Sequence, residues 1–278
     1  MWTERQERVE VSAAFDVIAA GDVDAGALAL ARRLRREGLR VGLAGNATDD
    51  PASRASVEKA RAERVDVGGV RLIDGQALRV IDGRGGVATS DAREVPLSPL
   101  EQQAREDLTG VSIPSGWSAS LLALSGVNPS VEASASFCKA ARAARRAGSL
   151  VLLDPNVRWT LWRGRDARLV LMALRDADAV WCTAEDLFGL NLDLDTLRSA
   201  LRSDAVLVTL DGEGRLAASG AFGVVRPALD ALPPVGESGW FTAGIAAALV
   251  KRGRPMLLEP EPWLEALRRA HALASARR

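Results

Sequence analysis

The chain has 278 residues, 47% of them hydrophobic, and its 36 Lys and Arg are matched by 36 Asp and Glu. That length suits one large α/β domain with a small attached lid, and a net charge of zero gives no electrostatic basis for nucleic-acid or acidic-membrane partners. Two cysteines in apolar runs, Cys138 and Cys182, read as buried thiols, and a single histidine, His271, rules out a two-histidine metal site. His271 lies near the end of the last helix and reads as a helix-surface residue. The charged start, Met1 to Glu10, is unlike a signal peptide, and no apolar run reaches spanning length, so the expectation is a soluble, cytoplasmic protein.

No strand is evident before residue 24. Asp24 to Glu37 reads as a helix with Ala27, Leu30, Ala31 and Leu34 on one face, closed by Gly38. Its arginine run, Arg32 to Arg36, reads as a solvated face. Leu39 to Ala44 follows as a buried strand, and Asp49-Asp50-Pro51 starts a helix reaching about Arg64. Residues 65–96 change character: short β-like pieces at Val65 to Val70, Leu78 to Ile81 and Gly86 to Thr89 are cut by glycine pairs. They suggest a small antiparallel excursion, either a lid or a surface hairpin.

From residue 100 strand and helix alternate again. Strands are expected at Ser120 to Leu124, Leu150 to Leu153, Ala179 to Cys182 and Ala205 to Leu210, with a β-ribbon at Leu216 to Ala218 and Val224 to Arg226. Helices are expected at Val131 to Ala147, Arg165 to Arg175, Asp193 to Arg202, Ser238 to Lys251 and Pro262 to Arg277. Such repetition implies a mostly parallel sheet covered on both faces, with functional groups at the carboxyl ends of its strands.

Four strand ends carry the chemistry. Asp154, Asn156 and Arg158 place a carboxylate, an amide and a guanidinium within five residues; Arg158 either holds an anionic ligand or braces the loop against Asp154. Glu185 and Asp186 after Thr183 either orient a hydrated Mg²⁺ or favour a helix start. Asp211-Gly212-Glu213-Gly214 is a tight turn. Gly236-Glu237-Ser238-Gly239 runs into an apolar helix whose first N–H groups attract anions. It lacks the spacing of a hydrolase nucleophile elbow, and no histidine is placed to serve it.

In this order the motifs resemble the PfkB/ribokinase carbohydrate kinases, nearest the 2-keto-3-deoxygluconate kinase and fructokinase type, over residues 21 to 277. Ser125-Gly126-Val127 with Asp154-Pro155-Asn156-x-Arg158 and Leu161-Trp162 carries most of the likeness. Val208 to Gly214 resembles the nucleotide-side turn, Phe241-Thr242-Ala243-Gly244 the anion-hole helix, and Gly45 to Pro51 the early Gly-x-x-Gly-x-Asp-Pro segment. The resemblance implies a Rossmann-type α/β sandwich over 1–64 and 97–278 with a β-lid at 65–96. It also implies ATP and Mg²⁺ as cofactors, a sugar or sugar acid held by Asp154, Asn156 and Arg158, and nucleotide contacts at Thr209, Gly212, Gly214 and Gly244. A homodimer through the lid fits the same resemblance.

Departures cluster at functional positions. The family's Gly-Ala-Gly-Asp is replaced by Gly236-Glu237-Ser238-Gly239, so Gly239 stands where an aspartate takes the substrate hydroxyl's proton. Asp-Thr-Thr is replaced by Pro233-Pro234-Val235, and Asn-x-x-Glu by Thr183-x-x-Asp186. The chain therefore resembles a degenerate member with phosphotransfer absent or very weak. Alternatives are an active kinase with a displaced base, Glu237 or Asp211, and a repurposed non-kinase protein on the same fold.

Overall fold

Residues 13–73, 110–127, 129–157, 162, 165–229 and 238–275 are described by the structure, a computed structural model. Its strands are β1 (Ala13–Asp22), β2 (Val41–Thr48), β3 (Asp66–Ile73), β4 (Trp117–Ser125), β5 (Leu150–Asp154), β6 (Ala179–Thr183), β7 (Val206–Leu210), β8 (Leu216–Gly220) and β9 (Gly223–Val225). The α-helices are α1 (Leu28–Arg36), α2 (Pro51–Ala62), α3 (Val131–Arg146), α4 (Arg168–Leu174), α5 (Ala184–Leu190), α6 (Leu194–Ala200), α7 (Ser238–Arg252) and α8 (Pro260–Ser275). A π-helical turn, Val23–Ala27, leads into α1, and a 3-10 turn, Arg254–Leu257, follows α7.

The strands form one sheet in the order β3-β2-β1-β4-β5-β6-β7-β8-β9. Every pair from β3 to β7 is parallel, and β7-β8-β9 is an antiparallel ribbon. Two corrections follow. β1 is a central strand that the sequence reading missed, because Ala-rich AAFDVIAAGD has neither polar alternation nor a turn signal ahead of it. Residues 66–73 are no antiparallel excursion: β3 runs parallel to β2 at the sheet edge. The rest of the proposed lid lies outside the described residues.

Both faces of the sheet are buried, as parallel strands require. Val17, Leu121, Leu152, Trp181 and Val208 point to the layer of α1, α2, α7 and α8. Their neighbours Ile18, Leu122, Val151, Val180 and Leu207 point to the layer of α3, α4 and α6. Trp181 and Phe241 stack in the first layer with centroids 5.2 Å apart. Helix starts follow local chemistry: the Asp50 carboxylate accepts from Ala52 N (2.8 Å) and Ser53 N (3.0 Å), and Ser130 Oγ accepts from Ala133 N (3.0 Å).

Candidate functional site

Strand order reverses between β1 and β4, and in open α/β sheets the ligand crevice lies outside the carboxyl ends of the strands at such a point. Gly21, next to last in β1, lies level with Gly45 of β2 and Ser125 of β4. Its φ is +141°, and a Cβ there would lie 1.9 Å from the Ser125 carbonyl oxygen; at Gly45, φ +144°, a Cβ would lie 2.1 Å from the Gly21 carbonyl oxygen. Only glycine fits either position, so main chain lies against main chain at these strand ends.

The loops after β4 and β5 are stitched together. Gly126 N donates to the Asp154 carbonyl (3.1 Å), Val127 N to the Pro155 carbonyl (3.0 Å), and the buried Trp162 Nε1 to the Val127 carbonyl (3.2 Å). The motif carrying most of the resemblance is thus a brace between two strand ends. Asn156, at φ +44°, turns the loop, and a Cβ at Gly26 would fall 2.7 Å from Asn156 Nδ2 and 2.4 Å from Ser125 Oγ. Asn156 and Ser125 therefore converge beside Gly26, which the sequence reading took for an ordinary helix position.

Asp154 is turned inward. Thr242 Oγ1 on α7 donates to its Oδ2 (2.8 Å), Asn156 N donates to its Oδ1 (3.1 Å), and the residue is 4% exposed. Burial, reinforced by the Asp186 charge, pushes its pKa up to about 7; the Thr242 and Asn156 hydrogen bonds and the Arg33 charge oppose the rise. Asp154 thus ties β5 to α7. Arg158 lies outside the described residues.

Gly239 is the second residue of α7. A Cβ built on it would lie 1.6 Å from Arg33 Nη1 and 2.9 Å from Arg33 Cζ. The guanidinium, carried by α1, stands 4.8 Å over the Trp240 ring. The volume that any side chain at 239 would enter is therefore filled by a cation. This corrects the reading of the arginine run as one solvated face. Arg32 Nε pairs with Glu63 (2.8 Å) and Arg35 Nη1 reaches the Leu39 carbonyl (3.1 Å), while Arg33 turns towards α7. Its position between Leu30 and Leu34, both on the buried stripe, was the available signal. Gly236 and Glu237 lie outside the described residues, and Ser238 opens α7.

Thr183 and Asp186 form a capping box at the start of α5. The Asp186 carboxylate accepts from Thr183 N (2.8 Å), Thr183 Oγ1 (2.8 Å) and Val157 N (2.7 Å), and burial raises its pKa. With those oxygens committed inside the fold, the geometry supports the helix-start reading, and Asp186 does not suit an Mg²⁺ ligand. Glu185 is exposed on the same turn. Among the described residues no three His, Cys, Asp or Glu cluster as metal ligands.

On the nucleotide-side turn, Asp211 accepts from Glu213 N (2.9 Å), Arg215 N (2.9 Å) and Arg215 Nε (2.9 Å). Thr209 is half-buried next to the end of β7, a Cβ at Gly212 would meet nothing within 4 Å, and Gly214 has φ +75°. A cavity of about 140 Å³ opens beside this turn, lined by Gly214, Arg215, Arg226, Leu229 and His271 among others. His271 thus faces a cavity. Gly244 lies nearly two turns into α7, where a Cβ would meet Ala270 Cα at 2.8 Å; it lets α7 and α8 approach closely.

The model of pfkB family carbohydrate kinases matches residues 30–278. The chain belongs to the pfkB family. Solved structures of similar fold include a fructokinase from Vibrio cholerae O395 in fructose-, ADP- and calcium-bound form (TM-score 0.72, 16% identity, covering 95% of this chain and 92% of that one). An ATP-bound fructokinase from Xylella fastidiosa follows at TM-score 0.67 and 15% identity, covering 94% and 92%. Aminoimidazole riboside kinase from Salmonella enterica matches at TM-score 0.67 and 18% identity, covering 93% and 92%. No curated protein sequence matches. Among the described residues of this pfkB-family chain no helix is long and apolar enough to cross a membrane.

Proposed function

We propose that the chain is a PfkB-type sugar-kinase homologue in which phosphotransfer is absent or very weak. One observation carries the reading: at Gly239, the position that the family resemblance assigns to the proton-accepting aspartate, the space beyond Cα holds the Arg33 guanidinium. A guanidinium has no lone pair to accept a hydroxyl proton as a carboxylate would, so this position supplies no general base. Asp211, offered above as a substitute, is committed to its own turn by three hydrogen bonds. The cleft beside Ser125, Asn156 and Gly26 retains small polar groups suited to a sugar or sugar acid. The family resemblance puts the nucleotide beside the Gly212 to Gly214 turn, where the cavity of about 140 Å³ has room for only part of ATP and Arg215 on its wall is paired with Asp211 and Glu213.

ADP release is to be measured with Mg·ATP and fructose, 2-keto-3-deoxygluconate or aminoimidazole riboside, alongside calorimetric titration of Mg·ATP and of each sugar. The expected result is sugar binding with turnover far below the range of about 1–100 s⁻¹ usual for kinases. Turnover within that range with any of these sugars would overturn the proposal.

A further inference from the structure

At the end of the sheet opposite the cleft, Asp178 sits just before β6, 1% exposed, with its main chain bonded to both neighbouring strands. Val151 N donates to its Oδ2 (2.9 Å). The other oxygen, Oδ1, faces three guanidinium groups from three segments of chain. Arg202 Nη2, from the α6–β7 connection, donates to it at 2.8 Å; Arg254 Nη1, after α7, lies at 3.5 Å; Arg145 Nε, on α3, lies at 3.7 Å. Arg145 and Arg254 make no side-chain hydrogen bond among the described residues. Arg145 Nε and Arg202 Nη1 are sealed from water without an acceptor.

The nearby charges do not cancel. Asp204 is taken by Arg202 Nε (2.8 Å), and Asp176 by Arg142 Nε (2.7 Å), with Arg145 Nη1 3.9 Å away. Four guanidinium groups thus surround three carboxylates, and the least satisfied are Arg145 and Arg254. A water molecule could accept from one sealed N–H but would leave the excess charge in place. An oxyanion docked on the solvent side of the Arg254 guanidinium offsets the excess positive charge, because arginine pairs with phosphate oxygens through charge-assisted, often bidentate bonds. Half of the Arg254 side chain is exposed, which gives access from solvent.

We propose that Arg145 and Arg254, steadied by Asp178 and Arg202, form a binding site for a small tetrahedral oxyanion, phosphate or a phosphomonoester, at the end of the sheet opposite the cleft. It stands independently of the reading of the cleft. Thermal unfolding is to be followed in sodium chloride, inorganic phosphate and glycerol phosphate at matched ionic strength, for the native chain and for Arg254→Gln, Arg145→Gln and Arg33→Gln. The expected result is a saturable rise in Tm of about 2–5 °C with phosphate over chloride. Arg254→Gln should need at least about tenfold more phosphate for the same rise, and Arg33→Gln should respond as the native chain does. A response to glycerol phosphate as well extends the site to monoesters; a response to phosphate alone restricts it to the free ion. Equal effects of chloride and phosphate would overturn the proposal, as would a response that survives both Arg254→Gln and Arg145→Gln or disappears in Arg33→Gln. Arg254 is exposed enough that its variant folds even if Arg145→Gln does not.

Discussion

Gly239→Ala should change the sign of its effect on stability when Arg33 is removed. In an ordinary helix, replacing glycine by alanine stabilises by up to about 1 kcal/mol. Here the new methyl would sit 1.6 Å from Arg33 Nη1, so the guanidinium must leave the Trp240 face that it now covers at 4.8 Å. Arginine bends away without great strain, so the cost is the lost contact: about 0.5–2 kcal/mol for the cation–π interaction, depending on its desolvation. The Arg33 charge also favours ionised Asp154, and moving it adds to the loss. Gly239→Ala alone should therefore be neutral or destabilising by about 1 kcal/mol. In an Arg33→Ala background nothing obstructs the methyl, and the same change should stabilise by about 0.5–1 kcal/mol. Urea unfolding of the four proteins closes a double-mutant cycle with an expected coupling of about 1–2 kcal/mol. Equal stabilisation by Gly239→Ala in both backgrounds would refute the view that Arg33 fills this space, and with it the main support for lost phosphotransfer.

Three further outcomes are expected. The pKa of Asp154 in the folded chain, about 7, lies above the carboxylate value of 3.8, so folded protein binds this proton more tightly than unfolded. The contribution is full below the unfolded pKa and lost as pH rises through about 7; Asp186, also raised, acts in the same direction. The urea midpoint should decline as pH rises from about 4 to about 7, and Asp154→Asn should flatten that slope. Gly244→Ala should destabilise by about 1–3 kcal/mol in thermal unfolding, since its methyl meets Ala270 Cα at 2.8 Å and forces α7 from α8. Asp186→Ala should cost about 2–4 kcal/mol by stranding Val157 N and Thr183 N, and the loss should be the same with and without Mg²⁺.

Much of this fold is legible in the chain because parallel strands buried on both faces are continuous apolar runs bounded by glycine-terminated helices. Leu150 to Leu153 and Ala205 to Leu210 are read to within a residue for that reason. β1 escapes because alanine fills a tight sheet centre as well as it fills a helix, and composition cannot separate the two. At the site, the sequence singles out the strand ends but not the direction of their side chains. Asp154 and Asp186 look like ligands in sequence, whereas in the fold their carboxylates accept from amide and hydroxyl donors 88 and 29 positions distant, or from a cap, which no spacing pattern reveals. Arg33 is hidden by its neighbours: four arginines in one run look alike until packing separates them.

Where Gly21, Gly45 and Ser125 meet, the crevice bottom is built of peptide groups that touch with no room for a Cβ. Peptide groups are the one part of a protein that exchange of residue types cannot reshape. Ligand preference at this site can therefore be altered through the rim, where side chains such as Arg33 project from a neighbouring helix, and not through the crevice bottom.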